Sequence, residues 1–467
     1  MVTVGHALTR LESVANMADA SAPILLSTHM MTSEPLNALE LDTPVVSRAS
    51  RLLEMLMRTF RAQFTNYLQV FAGTGVRLGL QAVYFFILAN TLSLRDMGVF
   101  ASASSTGIMI GCFSGFGFAS LAFRASAGKR RTLGGYLAVF YASWLIALPL
   151  CLAASLPIFY LLFTPSLSLI TFLLIIVVEA GFWRIVEMIH QVNNGLGRYA
   201  SASLVISLGS ALRTSGAIVF AASGRHDVET WSVIYFVSNL AAMALAIAMY
   251  QPRVKLRWCA PIFFGRLRDA LLFSVAYCAS IAQNEIDKLV MLALADQRTV
   301  GIYAISTRII DFTSVPIRSF YVLYSRKLII EGRQQNQIGR SLGVELLIAL
   351  VSTAGLAALI VALSIWPDLL GRNVAVATQL FGVMLAVPAF KNLLEYHSEL
   401  FFVYQHMTVR AVLATALVGL KAAALAWLLI EFNDIVQWGI WLNAVYLGLY
   451  AFSAASVYGS IFGGRER

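Results

Sequence analysis

Several acidic and basic side chains lie inside the long apolar stretches of this sequence, where charged groups are uncommon. In AQNEIDKLVML (residues 282–292), Glu285, Asp287 and Lys288 fall within four positions near the middle of an apolar run. If such a run crosses a bilayer, each charge costs at least ~2.5–3.5 kcal/mol and tends to face a cavity or a partner. We therefore expect these side chains to line a polar path or to neutralise one another.

Four of the cations suit a substrate that carries phosphate groups. Arg77 and Arg213 have no acidic residue within four positions, and Lys288 and Arg308 lie on two consecutive apolar runs. A guanidinium group is permanently charged and donates paired hydrogen bonds, which fit phosphate oxygens. We predict that Arg77, Arg213, Lys288 and Arg308 line a cationic cavity, and the alternative for each is a structural bond to another helix.

The acids in the same runs predict ion coupling. Outward movement of a charged solute needs a driving force such as H⁺ or Na⁺ antiport, and a buried carboxylate with a raised pKa can exchange a proton. No residue pattern separates H⁺ from Na⁺, or coupled from uncoupled transport. The ion-coupling candidates are Asp287, Glu285, Asp311 and Glu179.

Several opposite charges are spaced so that they can meet on one helix face. Such pairs would neutralise part of the buried charge without serving a substrate. Lys421 is expected to extend its ammonium group toward the membrane surface. The predicted pairs are Arg184–Glu187, Glu285–Lys288, Arg308–Asp311 and Lys391–Glu395.

Motifs of hydrolytic or nucleotide-driven chemistry are missing from the sequence. There is no HExxH, no P-loop, and no GxGxxG in a suitable context. The four cysteines share no metal-binding spacing, and His190 and His397 are predicted to be structural residues near helix ends. We therefore predict no enzyme activity, no metal and no cofactor other than a coupling ion.

The composition is that of a polytopic helical membrane protein. Of the 467 residues, 59% are hydrophobic and only 12% are charged, whereas soluble proteins carry about 25% charged residues. Apolar runs of about 20 residues recur along the chain without strand-like alternation. The predicted spans are 64–93, 98–122, 135–162, 166–191, 199–222, 230–250, 269–295, 299–324, 341–365, 374–403, 407–430 and 435–458.

The Lys and Arg residues between the spans set the predicted orientation. One set of loops and ends holds 21 of them and the alternate set holds 4, which places both termini in the cytoplasm. The net charge of +10 then follows from topology and attraction to anionic lipids, with no need for nucleic acid. Residues 1–44 are polar and slightly acidic, and we expect a disordered cytosolic tail there.

An internal repeat divides the spans into two sets of six. RDMGVFASAS (95–104) matches RTVGIYAIST (298–307) at an offset of 203, and each copy opens the second span of its half. Because six is even, the halves share one orientation, as in transporters with parallel repeats. The predicted organisation is a first lobe (45–250), a basic linker (251–268), a second lobe (269–458) and a cytoplasmic tail (459–467).

The first copy of the repeat resembles a signature of bacterial polysaccharide flippases. RDMGVFASAS, followed by FSGFGFASLAFRASAG (113–128), has the small-residue middle, the Phe116–Gly117 pair and the terminal Arg124 of that pattern. NEIDKLVMLALADQRTVGIYAIS (284–306) is also similar to their seventh span. These proteins are the Wzx-type members of the multidrug/oligosaccharidyl-lipid/polysaccharide (MOP) exporter superfamily, and the resemblance covers about residues 64–460.

The resemblance implies a V-shaped, all-α bundle of about twelve membrane helices that works by alternating access. The implied substrate is an undecaprenyl-diphosphate-linked oligosaccharide, flipped across the bacterial inner membrane for O-antigen, capsule or exopolysaccharide assembly. Polysaccharide polymerase or export machinery is the implied partner. Twelve spans favour this group over the fourteen-helix lipid-II flippases.

Three other functions remain open on the sequence. The first is a cation-coupled drug or metabolite antiporter of the same superfamily, which would favour a more acidic and aromatic pocket. The second is a membrane polysaccharide polymerase or ligase, which would need a large external loop that the short predicted outer loops do not provide. The third is a structural scaffold, which leaves the intramembrane charges without a role.

Overall fold

The computed structural model describes residues 75–462, except residues 129, 319, 322–323, 325–337, 368, 405 and 433. All of them lie in one compact unit that comprises residues 62–467. The predicted cytosolic tail at residues 1–44, and residues 463–467 of the predicted C-terminal tail, lie outside the described residues. In the described part, all regular structure is helical.

Among the described residues, the first half contains seven α-helices. Helix α4 continues through a π-helical turn at Phe159–Phe163, and α5 contains a similar turn at Val177–Phe182. The helices are α1 (75–91), α2 (Leu94–Gly111), α3 (Phe118–Gly128), α4 (Leu133–Ile158), α5 (Leu169–Gly195), α6 (Tyr199–Ala222) and α7 (Val228–Tyr250).

Among the described residues, the second half contains seven long helices and a further helical segment at 315–318, 320–321 and 324. Helix α8 is 35 residues long, and a π-helical turn at Tyr458–Phe462 follows the last helix. The helices are α8 (Ala260–Leu294), α9 (Gln297–Thr313), α10 (Ile338–Ile365), α11 (Arg372–Val383), α12 (Val387–Val403), α13 (Met407–Glu431) and α14 (Ile435–Val457).

The helices fit a chain that crosses a membrane many times. Among the described residues, seven helices are long and apolar enough to span a bilayer: α4, α5, α6, α7, α10, α13 and α14. Two bent pairs raise the number to nine, α2 with α3 (52°) and α11 with α12 (74°). Helices α1, α8 and α9 occupy the positions of three further predicted spans. The predicted all-α, multi-span architecture is therefore confirmed.

The internal repeat is visible in the helix starts. Ser93 caps α2 by accepting a hydrogen bond from the Asp96 N–H, and Asp296 caps α9 by accepting one from the Thr299 N–H. These two capping residues are separated by the same 203 positions as the repeat. A side chain at this position satisfies an N–H that has no partner within the helix. Equivalent residues therefore begin equivalent helices in the two halves.

The two halves share one apolar core at one end of the bundle and form two separate clusters at the other. We call the end with the α1–α2 and α8–α9 connections the outer end, and the opposite end, the predicted cytoplasmic side, the inner end. At the outer end one apolar core joins both halves and includes Phe85, Trp231, Tyr303 and Trp438. At the inner end one apolar cluster combines the first half with the start of α8, and a second cluster belongs to the rest of the second half. The bundle is thus closed at its outer end.

The outer contact depends on two glycines of the repeat. A Cβ on Gly98 would collide with the Gln297 carbonyl oxygen, and a Cβ on Gly301 would collide with that of Leu94. Only residues without a side chain let α2 and α9 cross this closely. Close by, the Asn90 amide donates to the Leu370 carbonyl (2.8 Å). We call this crossing the outer contact.

The inner part of α8 packs against the first half. Between α2 and α3 the chain bends at Gly115, Phe116 and Gly117, which all have positive φ angles. A Cβ on Gly117 would collide with the Ala270 carbonyl oxygen of α8, and the Phe118 and Phe263 rings stack at 5.7 Å. The Phe116–Gly117 pair noted in the sequence therefore lies in the bend that receives α8. The lobe boundaries at 250 and 269 stay a prediction.

Candidate functional site

A cavity of about 270 Å³ lies between the two halves, on the inner side of the outer contact. Its walls come from α1, α2, α5, α6, α7, α8 and α9. Four cations and three acids line it, so the charged groups carry a surplus of one positive charge. They are Arg184, Arg213, Lys288, Arg308, Glu179, Glu187 and Glu285.

Glu179 and Arg213 form the first charged group of the cavity. The π-helical turn of α5 carries Glu179, which accepts hydrogen bonds from Ser104 (2.8 Å) and Tyr235 (2.5 Å). One Arg213 nitrogen lies 3.8 Å from Glu179 Oε2, while its Nε donates to Asn239 (2.6 Å). No residue near Glu179 or Arg213 in sequence could have indicated this contact, because it joins α5 to α6.

Arg213 keeps part of its hydrogen-bonding capacity free. Its guanidinium lies 4.0 Å above the Trp183 ring, which holds it in place through a cation–π contact. Its Nη2 atom is buried and has no hydrogen-bond partner among the described residues.

Glu285 and Lys288 form the second group, at the boundary between the halves. They make the predicted ion pair along α8 (2.6 Å). Ser105 of α2 donates to Glu285 (2.5 Å), and Ser102 donates to the Lys288 carbonyl (3.2 Å). The small residues of the repeat thus let α2 approach α8 closely enough for its hydroxyl groups to hold both charged residues.

Arg184 and Glu187 form a third group, which the sequence indicated as an ion pair but not as part of the site. The two side chains are 2.8 Å apart, as predicted. Tyr277 of α8 donates to Glu187 (2.7 Å), and Arg184 donates to the Ile108 carbonyl (2.7 Å). The helical spacing of Arg184 and Glu187 predicted that they would pair. No feature of the sequence near Tyr277 predicted its contact with them.

Arg308 is the cavity cation with the fewest internal contacts. It is exposed on α9 and, among the described residues, forms no hydrogen bond or ion pair. The predicted pair with Asp311 does not form, because Asp311 is 2.6 Å from Lys391 and 3.5 Å from Arg318. The surplus positive charge of the cavity is therefore exposed at Arg308.

Three sequence candidates lie away from this cavity. Arg77 is half-buried on α1, and its Nε atom is buried without a hydrogen-bond partner among the described residues. Asp287 is buried inside the second half, 3.0 Å from Lys421 and 2.6 Å from the Tyr303 hydroxyl. Asp311 belongs to the ion-pair network with Lys391. None of the three is a cavity-lining residue.

The position of Lys421 also differs from the one that the sequence suggested. It does not extend to the membrane surface but is buried, with its ammonium group donating to Asp287 and to the Gln283 carbonyl (2.7 Å). Buried charges are normally paired and hydrogen-bonded in this way. The predicted pair Lys391–Glu395 is also replaced, since Glu395 binds Arg318 at 2.9 Å.

The fold is that of a known superfamily of membrane transporters. A structure described as the inward-facing conformation of a multidrug resistance MATE family transporter of the MOP superfamily matches with a TM-score of 0.62 at 12% identity, covering 84% of this chain and 99% of that one. The lipid II flippase MurJ in an inward closed conformation matches with a TM-score of 0.58 at 11% identity, covering 84% and 87%.

A MATE structure in complex with MaD3S also matches, with a TM-score of 0.51 at 12% identity and coverage of 84% and 94%. No protein-family model and no curated protein matches the sequence. The chain therefore has the MOP superfamily fold, and the similarity extends over most of its length.

Proposed function

We propose that this chain is a flippase that moves an undecaprenyl-diphosphate-linked oligosaccharide across the bacterial inner membrane by alternating access. It would serve O-antigen, capsule or exopolysaccharide assembly, together with polymerase or export machinery. Both termini would lie in the cytoplasm. The observation that carries the proposal is a cavity closed at its outer end and lined by cations of both halves, with Arg308 accessible and unpaired.

The chemistry of the cavity supports a phosphate-bearing substrate. A lipid diphosphate presents two or more negative charges and many acceptor oxygens. Arg213 and Arg308 approach the cavity from opposite halves, and each has donor capacity that no described residue uses. Arginine binds such oxygens through paired, charge-assisted hydrogen bonds. The two arginines could therefore hold a diphosphate between the halves.

A cation-coupled drug or metabolite antiporter is the second candidate, because two of the matching structures are MATE proteins. Trp183, Tyr235 and Tyr277 give the cavity the aromatic walls that such substrates favour. The surplus positive charge disfavours a cationic drug. A polymerase or ligase receives less support, because the described outer connections, such as 164–168 and 223–227, are only short loops.

Complementation of a deletion strain tests the proposal. Surface polysaccharide should disappear in the deletion strain and return with the wild-type gene. Arg308→Ala should lower it by about 10-fold or more, since a charged hydrogen bond contributes about 1.5–3 kcal/mol. Arg225→Ala, an exposed arginine of the outer loop before α7, is the matched control and should restore the wild-type level.

Two results would overturn the assignment. Unchanged surface polysaccharide in the deletion strain, with no second flippase gene present, excludes the proposed function. Export of the cationic dye ethidium that increases in Arg308→Ala would establish the antiporter. Equal membrane levels of each variant, measured by immunoblotting, ensure that the comparison concerns activity.

A further inference from the structure

A buried acid–histidine cluster lies inside the inner end of the second half, outside the central cavity. Glu345 of α10 is 3.1 Å from His397 Nε2 of α12. Tyr450 and Tyr458 at the end of α14 each donate to the carboxylate at 2.6 Å. His397 is fully buried and Glu345 is 3% exposed. None of these groups lines the central cavity.

Glu345 differs from the other buried acids in the kind of cation that it meets. Asp287 pairs with Lys421, Asp311 with Lys391, and Glu179 with Arg213. Lysine and arginine stay charged over the physiological pH range. Histidine is the side chain whose ordinary protonation range falls there. Among the described ion pairs, Glu345 is thus the buried acid whose partner is a histidine.

We propose that Glu345 and His397 form a proton-binding site that couples proton movement to transport, an inference that rests on the proposed function. A carboxylate only accepts hydrogen bonds, so His397 Nε2 carries a hydrogen and donates it to Glu345. In the neutral ring, Nδ1 accepts from the Ser453 hydroxyl, 2.9 Å away. An arriving proton binds Nδ1, which then donates to the Ser453 oxygen. Nδ1 gains one N–H bond, the Ser453 hydroxyl turns its own hydrogen away from the ring, and the charge of the pair changes from −1 to 0.

The surroundings of the pair suit this exchange. The groups that face it are hydroxyls from three packed elements. They are Tyr450, Tyr458 and Ser453 from α14, Ser341 from α10, and Tyr396 from α12 with Tyr324 packed against it. Tyr450 and Tyr458, which donate to the carboxylate, are half-buried. Two residues after His397 on α12, Glu399 forms an ion pair with Arg410 of α13.

A charge change at this site can reach the cavity through α12. His397 lies on α12, which bends by 74° into α11. Helix α11 packs against α9, where the Ser306 hydroxyl approaches the Ala377 carbonyl at 3.5 Å. Arg308 lies on α9 two residues after Ser306. A change in the packing of α10, α12 and α14 thus has a continuous path to the cation that we assign to the substrate.

Proteoliposomes containing the full chain test the proposal. A nitrobenzoxadiazole-labelled polyprenyl diphosphate is the probe, and its transfer between leaflets is measured by quenching with membrane-impermeant dithionite. An imposed pH gradient should accelerate transfer by the wild type. His397→Gln and Glu345→Gln should lose this acceleration while keeping the rate at equal pH within about twofold. His190→Gln is the matched control, because that ring binds the Ala202 carbonyl and Asn194, and it should behave as the wild type does.

A measurement without lipid separates the two proposals. The thermal midpoint of the purified chain should differ between roughly pH 6 and pH 8, the interval in which histidine ordinarily titrates. This difference should shrink by at least about half in His397→Gln and Glu345→Gln, and persist in His190→Gln. If the wild type does not transfer the probe but keeps this pattern, the flippase function fails and the proton site stands. If both variants keep the wild-type acceleration or the wild-type pH difference, the proton site is wrong.

Discussion

Glu285 and Asp287 are two residues apart on α8, yet they belong to two different kinds of charged site. Glu285 and Lys288 face the cavity, and each side chain keeps 15% of its surface exposed. Asp287 points to α13 and pairs with Lys421, where the exposed fractions are only 4% and 6%. Both are carboxylate–ammonium pairs. The two pairs therefore differ in their access to the cavity and not in the kind of residue, and only the Asp287–Lys421 pair is enclosed between helices of the second half.

The largest effect should come from breaking the buried pair. Asp287→Asn leaves the Lys421 ammonium without a counter-charge in the protein interior, and removal of one partner of a buried pair costs about 3–5 kcal/mol. We expect a corresponding loss in the free energy of unfolding, measured by SDS-induced unfolding of the chain in mixed micelles. Lys421→Met should cost a similar amount, because it leaves the Asp287 carboxylate unpaired.

The double variant Asp287→Asn/Lys421→Met is the control for this prediction. It removes both charges together, so most of the lost stability should return. If either single variant unfolds as the wild type does, the pair is not structural and Asp287 returns as an ion-coupling candidate.

The sequence was sufficient for much of the fold, for identifiable physical reasons. A bilayer forces apolar runs of defined length, so the spans and the break between α4 and α5 at Phe163–Pro165 could be read directly. The repeat at 95–104 and 298–307 correctly indicated related helices. It could not show that Gly98 and Gly301 contact each other, because the crossing of α2 with α9 depends on the packing of both halves.

The candidate site could be predicted only where the partners lie on one helix. Arg184–Glu187 and Glu285–Lys288 form as their spacing indicates. Asp311 instead meets Lys391, 80 positions away in sequence. Periodicity gives the neighbours along a helix but not those across to another helix. For the same reason, the position of Asp287 inside the second half could not be predicted from the sequence.

An intermediate effect, on activity more than stability, should follow from Arg213→Lys. Lysine keeps the charge but loses the planar group that donates to Asn239 while lying over the Trp183 ring. We expect about 10-fold less surface polysaccharide in the complementation assay and a loss of only about 1 kcal/mol in the free energy of unfolding. Arg225→Lys serves as the control and should change neither. Full activity in Arg213→Lys would show that its charge alone is needed.

The smallest stability effect should come from Glu285→Gln, in contrast to its neighbour Asp287. Because the cavity gives Lys288 some access to water, loss of this pair should change the free energy of unfolding by no more than about 1 kcal/mol. The same change removes a negative charge and so raises the net charge of the cavity by one. Undecaprenyl diphosphate should therefore raise the thermal midpoint of Glu285→Gln more than that of the wild type. Lys288→Gln should reduce this ligand-induced shift. If Glu285→Gln destabilised the chain as much as Asp287→Asn, the cavity pair would be structural too, and exposure would not distinguish the two sites.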